Sequence, residues 1–203
     1  MTLDGAQFYV SPSKLARFFF LECERFLRYS ATPSAQRPNQ GVPEKVERPS
    51  AVTEAILEGG YEWEEQVLKG LGEQAVVGQP TDGSELLRDR VLPYHDLLSH
   101  LRDPKPGTFL YQAHVSPPRG FYECFGLDPA QITFSDCRPD LLKIVQAEDG
   151  SFRLWVIDVK ATDAVKFSHR AQCAFYALLL NSIIEEESKR SRKCSPCGFS
   201  GLS

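Results

Sequence analysis

The chain has 203 residues, of which 42% are hydrophobic and 25% are charged, so it can bury a substantial core and is too apolar to be a disordered polymer. Its apolar runs are shorter than the roughly 20 residues needed to span a bilayer, and residues 1–10 lack the features of a secretion signal. The sequence therefore predicts a single intracellular domain over residues 1–203, cytoplasmic or nuclear (nucleoid), without a membrane partner. The net charge of −4 does not exclude a nucleic-acid ligand, because acids can cluster at a metal site.

The first quarter of the chain is predicted to contain one helix and one long loop. Ser11 suits an N-cap and Pro12 suits a first helical turn, so we expect a helix over residues 12–28. Residues 30–50 contain four prolines and few apolar side chains, which predicts a mobile surface loop.

Residues 53–71 follow the periodicity of an amphipathic helix, and one acid lies inside its apolar stripe. That acid is Glu64, whereas Glu62 and Glu65 fall on the polar face. The stripe predicted to be buried consists of Leu57, Gly60, Glu64, Val67, Leu68 and Leu71. A buried carboxylate is costly unless it is paired or bound, so Glu64 is a candidate functional residue.

After this helix, short strands and helices alternate. We expect a strand near residues 75–77, helical segments between residues 84 and 101, and strands near residues 108–115 and 121–125. Two longer strand-like runs over residues 132–147 and 152–161 follow, and then a helix over residues 168–184. This order predicts the α/β class, with a small mixed central sheet flanked by helices.

The two longer runs flank Glu148-Asp149-Gly150, and Asp-Gly between such runs is a strong signal for a β-hairpin. If Asp149 is the pivot, Asp140 and Asp158 lie directly opposite each other. Lys160 then lies on the same face as Asp158, because side chains alternate along a strand. A bulge in either strand would break this register.

Two carboxylates that face each other at about 5 Å repel by roughly 3 kcal/mol at an effective dielectric near 20. A divalent cation would reverse that sign, and an acid pair is an expected minimal Mg²⁺ site. The alternative is an exposed hairpin with scattered charges. Against that alternative, both faces of residues 154–159 are mostly apolar, which predicts a strand in the centre of the sheet.

The helix predicted over residues 168–184 carries Gln172 and Tyr176 one turn apart on an otherwise apolar face. Taken alone, the pair fits equally well a tyrosine at the core edge beside a glutamine bonded to backbone. We expect residues 188–203 to form a flexible or truncated tail.

In order and spacing, four motifs resemble those of the PD-(D/E)XK nuclease superfamily, and within it the RecB-like group. They are Glu64, Pro139-Asp140, Asp158-Val159-Lys160 and Gln172-x-x-x-Tyr176. Each motif is common by itself, but the ordered set is specific and spans most of the chain. The resemblance implies a restriction-endonuclease-like core.

The resemblance also implies a role for each matching residue. Glu64, Asp140 and Asp158 correspond to the residues that hold a Mg²⁺ or Mn²⁺ ion, and Lys160 corresponds to the catalytic lysine. The Gln172-x-x-x-Tyr176 motif corresponds to an accessory element near the substrate strand. The implied reaction is hydrolysis of DNA phosphodiester bonds, on single-stranded DNA or DNA with free ends, in repair, recombination or processing.

Six cysteines in a chain expected to be intracellular argue against a disulfide framework. Residues 11–15 followed by Cys23 also resemble the N-terminal helix of the RecB-like group, some members of which hold a 4Fe-4S cluster. Cys23, Cys194 and Cys197 resemble three of its four ligands, but the fourth position is Ser203, which supplies no thiolate. The other three cysteines lie within predicted elements and are expected to be core thiols: Cys124, Cys137 and Cys173.

Residues 12–48 and residues 160–203 each carry seven Lys or Arg against four acids, which suits either basic walls around the acidic centre or ordinary solvated helix faces. Two further functions stay open: a nucleic-acid-binding module of the same fold without turnover, and an Fe–S structural domain. The sequence lacks a Gly-x-x-x-x-Gly-Lys-Ser/Thr phosphate loop, so we expect any helicase to be a partner or a missing region of a longer protein.

Overall fold

A computed structural model describes residues 7–44, 51–80, 84, 86–135, 137–162 and 164–194. The helices are α1 (Pro12–Leu21), α2 (Glu24–Ala31), α3 (Ala51–Leu71), α4 (Tyr94–Arg102), α5 (Arg119–Cys124) and α6 (Phe167–Cys194). The strands are β1 (Phe8–Val10), β2 (Ala75–Val76), β3 (Gln79–Pro80), β4 (Arg90–Val91), β5 (Phe109–Tyr111), β6 (Ile132–Phe134), β7 (Leu141–Gln146) and β8 (Phe152–Ile157). The predicted α/β class is confirmed.

The main sheet has four strands in the order β2-β5-β7-β8, and it is mixed. Strand β2 runs parallel to β5, whereas β5–β7 and β7–β8 are antiparallel pairs. Two smaller pairings, β1 with β6 and β3 with β4, lie outside this sheet. Within the described residues, no helix combines the length and the apolar character that crossing a bilayer requires.

The predicted central position of the second hairpin strand is wrong. Strand β8 lies at the edge of the sheet formed by the described residues, and Trp155 is 56% exposed. The ammonium of Lys143 lies 5.7 Å from the Trp155 ring and 5.0 Å from the Phe109 ring, so a long basic side chain covers part of this face. The apolar residues on both faces of β8 therefore do not imply that β8 has a neighbouring strand along both of its edges.

The N-terminal helix begins as predicted, with Ser11 accepting a hydrogen bond from the Lys14 backbone at 3.3 Å. Its predicted continuity to residue 28 is wrong. Glu22 adopts a left-handed conformation with φ 48° and ends α1, and Cys23 then precedes α2. Part of the predicted loop over residues 30–50 is organised into 3-10 turns, beside which the buried Arg37 donates to the Tyr29 and Pro43 carbonyls. Its mobility stays a prediction.

Two further predictions fail where tertiary packing decides the outcome. Of the residues 121–125 predicted as a strand, residues 121–124 are helical in α5 and Phe125 follows its end, because Phe121 packs among the rings of Phe125, Phe134 and Phe175. The run over residues 132–147 holds two strands in different sheets: β6 pairs with β1, and β7 pairs with β5 and β8.

The interior has two apolar clusters, one on each face of the main sheet. The larger cluster packs α4, α5 and α6 against the sheet, through residues that include Leu97, Leu110, Leu142, Leu179 and Ile183. The smaller cluster seats the end of α3 on β5 and β7 through Leu68, Phe109, Tyr111 and Leu141. The stripe predicted on α3 is therefore buried only in its second half, and Leu57 is 49% exposed.

Candidate active site

The hairpin β7–β8 has the register that the Asp149 pivot predicts. Leu141 pairs with Ile157, and Asp140 and Asp158 follow directly beyond that last pair. The chain reverses through a turn in which Gly150 has φ 81° and the Ala147 N–H donates to the Ser151 carbonyl at 2.8 Å. The turn therefore fixes which acids meet at the far end of the hairpin.

The Lys160 ammonium lies between the two aspartates. Its Nζ atom is 2.6 Å from Asp158 Oδ1 and 3.1 Å from Asp140 Oδ2. Asp140 Oδ2 also accepts the Val159 backbone N–H at 2.8 Å. The chain beyond β8 thus folds back on Asp140 through both a backbone and a side-chain donor, and three of the predicted site residues are in contact.

Burial and mutual repulsion govern the charges of this group. Burial raises the pKa of Asp140, and the Asp158 charge raises it further, whereas Lys160 opposes both effects. Burial alone would lower the pKa of Lys160, but the two carboxylates together outweigh it and raise that pKa. Lys160 is therefore an ammonium that compensates two crowded anions.

Asp158 keeps one carboxylate atom without a partner. Its Oδ2 atom is buried and has no hydrogen-bond donor among the described residues, although Oδ1 is paired with Lys160. A buried carboxylate oxygen without a donor is energetically costly, so the site is complete only when a further positive or hydrogen-bonding group reaches it.

Glu64 approaches the aspartates from α3 through a hydrogen-bonded chain. The Tyr111 hydroxyl donates to Glu64 Oε2 at 3.1 Å, and Gln112 Nε2 donates to the same hydroxyl oxygen at 2.9 Å. Burial raises the pKa of Glu64, and the Asp140 charge raises it further. Glu64 therefore interacts electrostatically with the aspartate pair, and Asp140 is the aspartate whose charge raises its pKa.

Gln112 is a site residue that the sequence did not reveal. Its φ of 42° is left-handed, a conformation that costs a non-glycine residue roughly 1–2 kcal/mol. Its backbone N–H donates to the Asp140 carbonyl at 3.1 Å, while its side chain holds Tyr111. One strained residue thus links Asp140, which directly precedes β7, to Glu64 on α3. Its only sequence signal was a polar residue directly after a buried strand.

Gln172 and Tyr176, the motif on α6, lie beside the aspartates, and the two residues make different contacts. Tyr176 is buried, and its hydroxyl donates to the Arg138 carbonyl at 2.9 Å, which anchors the segment leading into Asp140. Gln172 hydrogen-bonds to Tyr176 and also lines an open cavity. A substrate contact of this motif stays a prediction.

Two cavities matter for the choice of site. Asp158 and Lys160 line one of about 300 Å³, together with His169, Arg170 and Cys173. A larger one of about 490 Å³ lies at the opposite end of the hairpin, between Phe152 and Ile184. The chemistry favours the smaller cavity, because it alone of these two is lined by Asp158 and Lys160.

The fit of a divalent ion rests on the donor set and on the unpartnered Asp158 oxygen. Carboxylates are the ligands that Mg²⁺ and Mn²⁺ prefer. However, in the part of the chain that the structure describes, no three His, Cys, Asp or Glu side chains form a ready-made metal-binding group. The structure brings Asp140 and Asp158 together through Lys160, and the metal site stays a prediction.

The predicted Fe–S ligands are separated between described and undescribed parts of the chain. Cys23 lies between α1 and α2, whereas the side chain of Cys194 and all of Cys197 lie outside the described residues. Of the tail predicted over residues 188–203, residues 188–194 belong to α6, and residues 195–203 lie outside the described residues. Among the predicted core thiols, Cys137 is buried and Cys173 is half-buried, but Cys124 is exposed because it ends the surface helix α5.

Comparisons of this chain with protein-family models, with curated proteins and with solved structures gave no match.

Proposed function

We propose that this chain is a metal-dependent nuclease of the RecB-like PD-(D/E)XK type, which hydrolyses DNA phosphodiester bonds on single-stranded DNA or DNA with free ends. One observation carries the proposal. Two aspartates from adjacent strand ends share one lysine, and within the part of the chain that the structure describes a buried oxygen of Asp158 has no partner. This crowding of like charges is costly in an apo protein and is expected where a cation and a phosphate bind.

Each residue has a part that follows from its position. Asp140 and Asp158 would hold a Mg²⁺ or Mn²⁺ ion, with Glu64 approaching from α3. Such an ion polarises a phosphate and lowers the pKa of a bound water. Lys160, held at 2.6 Å from Asp158, can orient a water or stabilise negative charge on a phosphate oxygen. Tyr111 and Gln112 keep the Glu64 carboxylate in place.

One observation favours a second candidate, a nucleic-acid-binding module of the same fold without turnover. The Lys160 ammonium already offsets part of the negative charge of the two aspartates, so the chain has a resident cation at this position. In that module Lys160 would contact a phosphate and no ion would be required. The two candidates differ in whether a product forms.

The deciding experiment is a cleavage assay on end-labelled single-stranded and double-stranded DNA, with Mg²⁺, with Mn²⁺ and with EDTA. We expect the wild-type chain to produce shorter fragments only when a divalent ion is present. Asp158→Ala should reduce cleavage to the background level, because it removes both the paired and the unpartnered oxygen, while the circular dichroism spectrum stays unchanged.

Asp103→Ala is the matched control, because this aspartate ends α4 and lies outside the residues that form the site. Its cleavage rate should equal that of the wild type. Fragments that persist in Asp158→Ala prepared free of other nucleases would refute the assignment. Binding of DNA by the wild type without any cleavage product would support the second candidate, a nucleic-acid-binding module without turnover.

A further inference from the structure

We propose that the groove between α1 and the start of α6 binds one unpaired nucleic-acid strand and leads it to Asp158 and Lys160. This inference rests on the proposed nuclease function, because it names the part of the molecule that would hold the substrate strand beside the reacting phosphate. It assigns a binding role to Arg17, Phe20 and Lys166, which the motifs do not include.

The groove consists of two neighbouring cavities that share His169 as a lining residue. The inner cavity, of about 300 Å³, contains Asp158 and Lys160. The outer cavity has a volume of about 290 Å³. One wall is formed by Arg17 and Phe20 from α1, and the other by Lys166, directly before α6, and by residues 168, 169 and 172 in the first turns of α6. Because α1 packs against α6, both walls are held by regular helices. A chain-like ligand can therefore extend from the carboxylates across the α1 surface.

The charges along this groove suit a polyanion. Lys160 and Arg170 line the inner cavity, and Arg17 and Lys166 line the outer one. Of the described residues that line either cavity, only Asp158 is acidic, and it lies at the end where the reaction would occur. Basic side chains in a row attract a phosphate backbone, so the groove complements a nucleic-acid strand despite the net negative charge of the chain.

His169, which lines both cavities, offers a hydrogen-bond donor to a bound strand. Its Nδ1 atom accepts the Lys166 backbone N–H at 3.3 Å. With Nδ1 as the acceptor, the ring proton lies on Nε2, which is then a donor for a phosphate oxygen.

Exposed aromatic rings distinguish a single strand from a duplex. Phe20 lines the outer cavity and is 65% exposed, and Phe167, beside Lys166, is 67% exposed. Phe167 is supported at 5.9 Å by the edge-on ring of Phe19. Aromatic rings beside basic residues stack on the faces of bases, and those faces are accessible only in an unpaired strand.

The test measures binding in EDTA, so that no cleavage occurs. The probe is a fluorescein-labelled oligothymidylate of about 15 nucleotides, and its anisotropy is followed over a range of salt concentrations. The double variant Arg17→Gln with Lys166→Gln should bind about tenfold more weakly and lower the slope of log K against log salt by about 1.4, because each lost phosphate contact contributes about 0.7. Phe20→Ala should weaken binding and leave the slope unchanged.

The matched control is Lys105→Gln with Arg153→Gln, which makes the same change in net charge at exposed positions near the opposite end of the sheet. It should bind as the wild type does. An equal loss in this control would attribute binding to overall charge and overturn the groove. Equal or tighter binding of a duplex of the same length would overturn the assignment to an unpaired strand.

Cleavage in Mg²⁺ separates this inference from the function on which it rests. If the wild type cleaves DNA and the groove variants bind and cleave DNA as the wild type does, the proposed strand-binding groove is refuted and the proposed nuclease function is supported. If the groove variants lose binding as expected but the wild type never cleaves, the strand-binding groove is supported and the nuclease function is refuted.

Discussion

Lys160 and Asp158 together decide the chemistry of the site at the scale of single residues. Lys160 contacts one oxygen of Asp158 at 2.6 Å, and the other oxygen is buried with no donor from any residue that the structure describes. A second aspartate, Asp140, shares the same ammonium at 3.1 Å. The arrangement holds more negative charge than one lysine neutralises, which is the physical reason to expect a further cation.

Glu64 makes the stability of the metal-free protein depend on pH. Its pKa is raised from 4.5 in the folded chain, first by burial and then by Asp140. The unfolded chain releases this proton more readily, so the contribution of Glu64 to stability is present at low pH and is lost as the pH rises through its folded pKa. The relevant window begins near pH 4.5 and extends upward.

Glu64→Gln removes that titration. In EDTA, we expect the free energy of unfolding of this variant to fall less than that of the wild type when the pH is raised from 4.5 to 7. Urea unfolding at both pH values measures the difference. Glu62→Gln, on the exposed face of the same helix, is the control and should follow the wild type. Parallel pH dependences of Glu64→Gln and the wild type would contradict the raised pKa of this half-buried carboxyl group.

At the scale of elements, the β7–β8 hairpin determines which acids meet. Its five-residue connection contains Gly150 in the left-handed region, with φ 81°, and six residue pairs then follow in an unbroken register. The strained residue Gln112, which follows β5, connects the other acids: its backbone donates to Asp140, and its side chain holds the Tyr111 hydroxyl that donates to Glu64. The hairpin therefore positions Asp140 and Asp158, and the end of β5 positions Glu64 relative to them.

Gly150→Ala should lower the free energy of unfolding by about 1–2 kcal/mol, because an alanine is strained at positive φ. Gly70→Ala is the matched change, since Gly70 lies in α3 with open space around its Cα atom, and it should raise the free energy of unfolding by up to about 1 kcal/mol. Urea unfolding of both variants measures the two opposite effects. Equal effects of the two substitutions would contradict the turn geometry.

At the scale of the whole molecule, the site joins elements that are distant in sequence. Glu64 comes from α3, Tyr111 from β5 and Lys160 from the segment after β8, while Tyr176 on α6 anchors the approach to Asp140. Two separate apolar clusters hold these elements in place. Binding of an ion at this junction should therefore stabilise the complete fold.

Mg²⁺ should raise the melting temperature of the wild type. An ion at 100 times its dissociation constant contributes about 2.7 kcal/mol, which corresponds to roughly 5–10 °C for a chain of this size. Differential scanning fluorimetry with Mg²⁺ and with EDTA measures this shift independently of any cleavage. Asp158→Asn should show almost no shift. A shift of the same size in that variant would place the ion elsewhere.

The sequence by itself determined the local features of this protein: the Ser11 cap, the α/β order and the hairpin register that makes Asp140 and Asp158 neighbours. Each depends on residues close in the chain, through turn preference or side-chain alternation. Only the tertiary structure decided that β8 lies at a sheet edge, that α1 ends at Glu22 and that Gln112 is strained. Those outcomes depend on which segments, distant in the chain, pack together. The hydrophobic periodicity of a short segment contains no information about the segment that packs against it.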